Sequence, residues 1–160
     1  MTAISGFADL VGDTSILLDL QPASKDDLLA ALAAAAARVT GLAATSILER
    51  VREREALGST GFGQGAAIPH ARIPGLGGVV AVVVRLATGV NYGALDGEPV
   101  DVAVLLLSPE GAGADHLKAL ARVSRALRDP VTLGAIRDAR DAAALRGVIG
   151  SQAIAGQKAA

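Results

Sequence analysis

The sequence predicts an α/β fold, a single layered sandwich in which a mixed β-sheet is flanked by helices. Two runs rich in β-branched residues, at 79–87 and 100–107, are typical of strands that are buried on both faces. An alanine-rich stretch at 28–39 is typical of a helix, because alanine is the strongest helix former. Helices and strands alternate along the chain, and this interleaving indicates the layered class.

The first third of the chain predicts one strand followed by two helices. Residues 15–20 form an apolar run of strand length. Ser24 precedes the carboxylate of Asp27 by three residues, a close relative of the capping box that starts a helix. The second helix is expected from about residue 45 to 55, with apolar side chains at helical spacing: Ile47, Leu48 and Val51.

The middle of the chain changes character. Residues 58–65 hold four glycines and two hydroxyl residues, which predicts a loop or a tight hairpin. A short strand is expected at 66–68 and a turn at 74–78. Between the two long strands, the segment from Asn91 to Gly97 contains Asn-Tyr-Gly and Asp-Gly turn signals, so these strands are predicted to be antiparallel neighbours.

The last third of the chain predicts helices. They are expected at about 114–128, 131–137 and 141–149. No internal repeat or domain boundary is evident, so we expect one domain over residues 1–160. Its core is expected at about 15–149, followed by a flexible tail at 150–160.

Composition excludes several classes of function. The net charge is −1 and aromatic residues are scarce, whereas nucleic-acid binding calls for clustered basic charge and stacking rings. The absence of cysteine excludes disulfides, thiolate catalysis and cysteine-based zinc sites. The apolar stretches are too short to span a bilayer, and the first nine residues lack the pattern of a signal peptide. We therefore expect a cytoplasmic protein without membrane insertion.

The two histidines of the chain are the candidate functional residues. His70 follows Pro69 and a run of small residues that expose backbone amides. His116 falls in the first turn of a predicted helix, where free N–H groups and the helix dipole favour a phosphate. If the fold brings both histidines together, they form an anion site. Alternatively, His70 only ends a strand and His116 is a surface residue.

Other sites have weaker support. No compact cluster of His, Asp and Glu completes a metal shell around the histidines. The glycines lack the dinucleotide fingerprint, no Gly-Lys-Ser/Thr follows them, and Ser59 and Thr60 lack a serine-hydrolase elbow. The basic run Arg50, Arg52 and Arg54 is interpreted as a solvated helix face. From the residues alone, the prediction is an α/β domain with an anion site.

A longer motif makes the prediction specific. The segment from Arg54 to His70 contains Leu-Gly-Ser-Thr-Gly-Phe-Gly-Gln-Gly-Ala-Ala-Ile-Pro-His, and two further blocks follow in order at 95–101 and 116–120. This pattern resembles the active-site signature of the phosphotransferase system enzyme IIA family, of the fructose/mannitol/nitrogen-regulatory type. The resemblance covers about residues 15–149 and is closest to the nitrogen-regulatory branch.

The resemblance implies a role for each residue of the motif. His70 would accept a phosphoryl group from the phosphohistidine of an HPr-type carrier, and Arg54 would pair with phosphoryl oxygens. His116 matches the second histidine of the family, which either donates to a phosphoryl oxygen or holds His70 in the right tautomer. Ser59, Thr60 and nearby backbone amides would lie near the same phosphate. No metal, nucleotide or other cofactor is implied.

The resemblance also implies partners. In the nitrogen-regulatory branch, the phosphorylation state would control target proteins such as kinases or transport proteins. The alternatives are a sugar-specific enzyme IIA that passes phosphate to a IIB component, a binding module that has lost transfer, and a metal-binding sensor. Phe62, one of only two phenylalanines, either packs into the core or forms part of the carrier-docking surface.

Overall fold

The computed structural model describes the backbone of residues 6–159 and the side chains of residues 6–150. A 3-10 turn at Ala8–Leu10 comes first. The elements that follow are β1 (Val11–Leu20), α1 (Lys25–Thr40), α2 (Ala44–Ala56), β2 (Gly61–Gly63), β3 (Ala66–Ala67), β4 (His70–Ile73), β5 (Val80–Val90), β6 (Val100–Pro109), α3 (Gly113–Arg128), α4 (Pro130–Asp138) and α5 (Ala142–Ala159). None of the helices within this range is long and apolar enough to cross a membrane.

One mixed sheet organises the molecule. Its strand order is β1-β5-β6-β3-β2, and β4 also pairs with β6. β5 and β6 are antiparallel, with Val84 opposite Ala103, as the turn signals between them predict. β1 runs parallel to β5, and both β3 and β4 run parallel to β6. The predicted α/β sandwich with a mixed sheet is therefore confirmed.

Helices cover both faces of this sheet. Side chains alternate between the faces along a strand, so β5 sends Val82 and Val84 to one side and Ala81 and Val83 to the other. The first face packs against α1 and α2 through Leu28, Leu32, Ile47 and Val51. The second packs against the C-terminal helices through Val123, Leu127, Leu133, Ile136 and Leu145. Burial on both faces explains why β5 and β6 are almost continuously apolar.

The ends of α1 follow the predicted local chemistry. The Ser24 hydroxyl accepts a hydrogen bond from the Asp27 backbone N–H at 3.1 Å, which satisfies one free donor of the first turn. At the other end, Gly41 adopts a left-handed conformation with φ of 76° and its N–H donates to the Ala37 carbonyl. This C-cap ends α1 three residues before α2 begins at Ala44.

The glycine-rich segment forms a hairpin. β2 pairs antiparallel with β3, and the two residues between them, Gln64 and Gly65, have φ of 59° and 81°. Glycine adopts this left-handed conformation without a steric penalty. Because β3 pairs with the central strand β6, the hairpin fixes where the next residues, which lead to His70 and β4, meet the sheet.

The structure differs from the sequence prediction at the two ends of the chain. β1 begins at Val11, four residues before the predicted start. The prediction started late because residues 12–14 are exposed and lack the apolar side chains typical of a buried strand. The pairing of β1 with β5 is irregular between Val11 and Ile16. At the other end, the helical backbone of α5 reaches Ala159. The side chains beyond Gly150 lie outside the described residues, so the flexible tail at 150–160 stays a prediction.

A buried arginine joins the sheet to α4. Arg85 on β5 donates from Nη1 to the Ile136 carbonyl at 3.1 Å and also to the Ala139 carbonyl. Its Nη2 is 3.3 Å from Asp19 Oδ1. The last carbonyls of a helix have no partner within the helix, so this guanidinium satisfies the C-terminal end of α4 while pairing with a carboxylate.

Candidate active site

His70 lies at the start of β4, against the central strand of the sheet. β4 pairs with β6 in register, with His70 opposite Leu106. The Pro69 carbonyl accepts a hydrogen bond from the Leu106 N–H at 3.0 Å, so the chain is fixed one residue before the histidine. Proline has no N–H and a restricted φ, which further limits the backbone conformation of the segment that leads to His70. The imidazole is half-buried.

The hydrogen bonds of His70 define the tautomer of its ring. Nδ1 is 2.7 Å from the Ile68 carbonyl oxygen, which can only accept, so Nδ1 carries the proton in the neutral ring. Nε2 then keeps its lone pair and accepts a hydrogen bond from Arg54 Nε at 3.3 Å. Burial lowers the pKa of His70, an effect that the Ile68 hydrogen bond opposes and the Arg54 charge reinforces. A neutral imidazole with a free Nε2 lone pair is a competent nucleophile.

Arg54 comes from the last turn of α2. Besides its contact with His70, its Nη1 donates to the Gly58 carbonyl at 2.9 Å. This bond ties the guanidinium to the turn that leads into the hairpin, and thus limits where its remaining N–H groups point. An arginine beside an imidazole Nε2 provides several donors for an anion bound there.

His116 lies next to His70 without hydrogen bonding to it. The two ring centroids are 5.6 Å apart and the rings are inclined by 49°. His116 is buried in the first turn of α3, and its Nδ1 is 2.7 Å from Ser108 Oγ on β6. Burial lowers the pKa of His116, and the nearby charges of His70 and Arg72 lower it further. The fold therefore brings the two predicted histidines together.

Thr60 lines a cavity together with Ser59 and His70, and its polar groups contact Glu55 and Tyr92. Its hydroxyl donates to Glu55, its backbone N–H is 3.2 Å from Glu55 Oε1, and its hydroxyl oxygen is 2.9 Å from Tyr92 Oη. The expectation that Thr60 lies near the phosphate stays a prediction, and in this structure its hydroxyl is occupied by Glu55. Ser59 accepts a hydrogen bond from the Gly61 N–H at 3.1 Å, and its own proton remains available to an anion.

A polar cluster around Glu55, in contact with Thr60, has no local signal in the sequence. The Glu55 carboxylate is nearly buried and also pairs with Lys25 Nζ at 2.8 Å and with Tyr92 Oη at 3.1 Å. These residues come from α1, α2 and the segment after β5, which are far apart in the chain. The separation explains why no local pattern revealed the cluster. It holds the residues that follow α2 against the body of the protein.

Phe62 is partly buried against the core, which is one of the two alternatives that the sequence left open; its role in carrier docking stays a prediction. Its half-buried ring packs at the edge of the core beneath the C-terminal helices. The Arg128 guanidinium lies 4.5 Å from the ring centroid, a cation–π arrangement. Phe62 and Arg128 also line a cavity of about 190 Å³ that reaches Ser59 and His70.

A second cavity, of about 310 Å³, opens on the other residues around His70. It is lined by Arg50, Glu53, Arg54, Leu57, Ala71, Arg72, His70 and His116. Arg50 and Arg54 lie four residues apart and so share one helix face, whereas Arg52 pairs with Asp26 at 2.6 Å on another face. The interpretation of this run as a solvated face fits Arg52, and also Arg50 in part, since Arg50 is partly exposed and pairs with Glu110 at 3.4 Å. The cavity combines the histidines with three guanidinium groups.

The strand pattern of β4 could have identified one of these arginines. Side chains two residues apart project from the same face of a strand, and His70 and Arg72 are the two less buried positions of β4. Among the described side chains, no group of three or more His, Cys, Asp or Glu residues could hold a metal ion. The cavity places the His70 imidazole beside guanidinium groups that can bind an anion and beside the Glu53 carboxylate.

Comparison with known proteins assigns the chain to a family. The model of the phosphoenolpyruvate-dependent sugar phosphotransferase system, EIIA 2, matches residues 9–151. The chain belongs to the EIIA 2 family. This agrees with the resemblance carried by the segment from Arg54 to His70.

Similar proteins include nitrogen regulatory proteins and a fructose-specific EIIA component. A nitrogen regulatory protein of Bradyrhizobium diazoefficiens is 45% identical over 141 residues, which cover 88% of this chain and 92% of the relative. The crystal structure of nitrogen regulatory protein IIA-Ntr from Neisseria meningitidis has a TM-score of 0.84 and 30% identity, covering 89% of this chain and 97% of that one. A fructose-specific EIIA component of Haloferax volcanii is 35% identical over 115 residues, 70% of this chain and 73% of the relative.

Proposed function

We propose that this EIIA 2 protein is a phosphocarrier whose His70 accepts a phosphoryl group from the phosphohistidine of an HPr-type carrier. The observation that carries the proposal is the tautomer of His70. Its Nδ1 proton is held by the Ile68 carbonyl, and its Nε2 lone pair accepts from the Arg54 guanidinium in the cavity that both residues line. A nucleophile with donors beside it is the arrangement that phosphoryl transfer requires.

The transfer exchanges one N–P bond for another. The Nε2 lone pair of His70 attacks phosphorus, the Nε2–P bond forms, and the N–P bond of the donor breaks. The donor ring enters as a phosphoimidazolium, protonated on its other nitrogen, so when the electron pair of the broken bond returns to the donor nitrogen the ring leaves as neutral imidazole. The His70 ring gains positive charge, and the hydrogen bond from Nδ1 to the Ile68 carbonyl stabilises that charge. No metal or nucleotide takes part in this step.

The surrounding arginines stabilise the charge that develops on the phosphoryl oxygens. Arg54 is fixed at two points, on His70 and on the Gly58 carbonyl, so little reorganisation is needed when the phosphate arrives. Arg72 and Arg50 add positive charge to the same cavity, which the Glu53 carboxylate and the pairing of Arg50 with Glu110 offset in part. The proton of the Ser59 hydroxyl and the ring of His116 complete the set of proposed donors.

The phosphorylation state of His70 then acts as a signal to partner proteins. Relatives named nitrogen regulatory protein support this regulatory role, and kinases or transport proteins are the candidate targets. Phosphate on His70 offsets the positive charge of Arg50, Arg54 and Arg72, which changes the electrostatic potential of the whole cavity. A partner that binds over this cavity would distinguish the two states.

A second candidate function is transfer of the phosphate to a IIB component during sugar uptake. The similarity to a fructose-specific EIIA component favours it. Phosphorylated protein mixed with a IIB domain would separate the two functions, because rapid loss of phosphate to IIB supports the transport role. Affinity for target proteins that changes between the wild type and His70→Ala supports the regulatory role.

The phosphorylation itself is tested with purified components. With phosphoenolpyruvate, the donor kinase and an HPr-type carrier, the chain is expected to gain an acid-labile, base-stable phosphate. Coupling between ³¹P and ¹⁵N in a ¹⁵N-histidine sample should assign it to Nε2 of His70. His70→Ala should abolish labelling, whereas His116→Ala should still be labelled, more slowly. Label that persists in His70→Ala, or that lies on Nδ1, contradicts the proposal.

Arg54 has a matched control on its own helix. Arg54→Lys keeps the charge but loses the planar fork, so transfer should slow by about tenfold or more, the effect of losing one charge-assisted hydrogen bond. Arg52→Lys should transfer phosphate at the wild-type rate, because Arg52 pairs with Asp26 away from the cavity. Equal rates for the two variants would remove Arg54 from the proposed site.

A further inference from the structure

Ser108 and His116 form a buried polar pair beside His70. Ser108, near the end of β6, is 0% exposed, and His116 on α3 is 6% exposed. Ser108 Oγ and His116 Nδ1 are 2.7 Å apart. The pair joins the central strand of the sheet to the helix that covers the site. It also fixes the ring of the histidine whose role the sequence left open.

The direction of this hydrogen bond follows from the partners of the hydroxyl. Within the part of the chain whose side chains are described, Ser108 Oγ has His116 Nδ1 as its hydrogen-bond partner. If Nδ1 were the donor, the serine proton would be buried without an acceptor, which is costly. If the hydroxyl donates to Nδ1 instead, its single proton is satisfied. The neutral His116 ring then carries its own proton on Nε2.

We propose that Ser108 is a positioning residue that fixes His116 as the Nε2–H tautomer. His70, by contrast, is held as the Nδ1–H tautomer by a backbone carbonyl. The two neighbouring histidines, which line the same cavity, therefore have opposite hydrogen-bonding roles. His70 offers a lone pair and His116 offers a proton. The catalytic consequence of this arrangement rests on the proposed phosphoryl transfer to His70.

The assignment decides between the two roles considered for His116. Both nitrogens of His70 already have partners, in the Ile68 carbonyl and Arg54, so His116 is not needed to hold its tautomer. An Nε2–H on His116, with the ring centroids 5.6 Å apart, suits donation to an oxygen of a phosphoryl group bound to His70. The lowered pKa of His116 keeps the ring neutral at physiological pH, where the choice of tautomer matters.

The unphosphorylated wild-type protein provides the first test. Two-bond ¹H–¹⁵N spectra of ¹⁵N-histidine-labelled protein at neutral pH distinguish protonated from unprotonated ring nitrogens. We expect His116 to show protonated Nε2 and unprotonated Nδ1, and His70 to show the reverse. A protonated Nδ1 on His116 overturns the proposal. This result is independent of phosphorylation, so a failure of the proposed function would appear separately, as a wild-type protein that takes up no phosphate.

The second test uses two buried serines. Ser108→Ala should give a mixture of tautomers at His116 and leave the His70 signals unchanged. Its phosphoryl transfer should slow by about tenfold, the effect of one hydrogen bond of about 1.4 kcal/mol. Ser15→Ala is the control, because Ser15 Oγ is also buried but has no hydrogen-bond partner among the described residues. It should change neither the spectrum nor the rate. An unaltered His116 tautomer in Ser108→Ala would refute the role of Ser108.

Discussion

Tyr92→Phe tests the buried polar cluster that holds the turn after α2. Tyr92 is 1% exposed, its hydroxyl donates to Glu55 Oε2 at 3.1 Å, and Lys25 Nζ lies 4.2 Å from its ring centroid. Burial and the nearby Glu55 charge raise the pKa of Tyr92, so the hydroxyl stays protonated and acts as a donor. The substitution removes one oxygen and keeps the ring. Packing is therefore preserved while one charge-assisted hydrogen bond is lost.

The expected cost is about 2 kcal/mol, within the range of roughly 1.5–3 kcal/mol for a hydrogen bond to a charged group. Glu55 keeps its contacts with Lys25 and Thr60, so the carboxylate is not left unpaired. For a chain of this size, the same loss lowers Tm by about 4–8 °C. Urea unfolding followed by far-ultraviolet circular dichroism suits a chain that has no Trp and a single Tyr. The m-value should be unchanged.

A double-mutant cycle with Thr60→Val provides the control. Both hydroxyls contact Glu55 and each other, so the two substitutions should be coupled rather than additive. A loss below about 0.5 kcal/mol for Tyr92→Phe, with no coupling to Thr60→Val, would refute the reasoning, since surface changes without specific contacts give effects of that size.

Three further predictions concern pH, a buried charge and docking. Burial lowers the pKa of both His70 and His116, so the unfolded chain binds more protons than the folded one as pH falls below about 6.5. The free energy of unfolding, measured by urea titration, should therefore decrease below that pH. The decrease should be smaller in His70→Gln. Arg85→Met should cost about 3 kcal/mol or more in the same assay, because buried carbonyls lose their donor, whereas the exposed Arg125→Met should cost little. Phe62→Ala should raise the Kd for the carrier at least several-fold by calorimetry with a modest loss of Tm; a large loss of Tm at unchanged Kd would assign Phe62 to packing alone.

The fold class was predictable because each of its signals is local. The β-branched runs of β5 and β6 record burial on both faces, and the turn residues between them record antiparallel pairing. Ser24 and Gly41 end α1 through contacts within a few residues. The early start of β1 was missed because residues 12–14 are exposed and polar, and only their pairing with a neighbouring strand makes them part of the sheet.

The candidate site was predictable in part for a similar reason. Arg54 and His70 belong to one contiguous segment, and the hairpin between them is announced by its glycines. His116 was a candidate from its place in the first turn of a predicted helix, and the resemblance to the enzyme IIA family supplied the roles expected of His116 and Arg54. Two further cavity residues could have been found from periodicity, since Arg50 lies four residues before Arg54 on a helix and Arg72 two residues after His70 on a strand.

By itself, the sequence determined the family, the layered α/β class and the identity of the two histidines as the residues to examine. Only the tertiary structure decided what each ring can do. The tautomer of a histidine depends on which single atom lies against each nitrogen, and those atoms belong to the Ile68 carbonyl in one case and to Ser108 on a neighbouring element in the other. Hydrogen bonds act over about 3 Å, so they are set by the packing of strand against helix rather than by spacing along the chain.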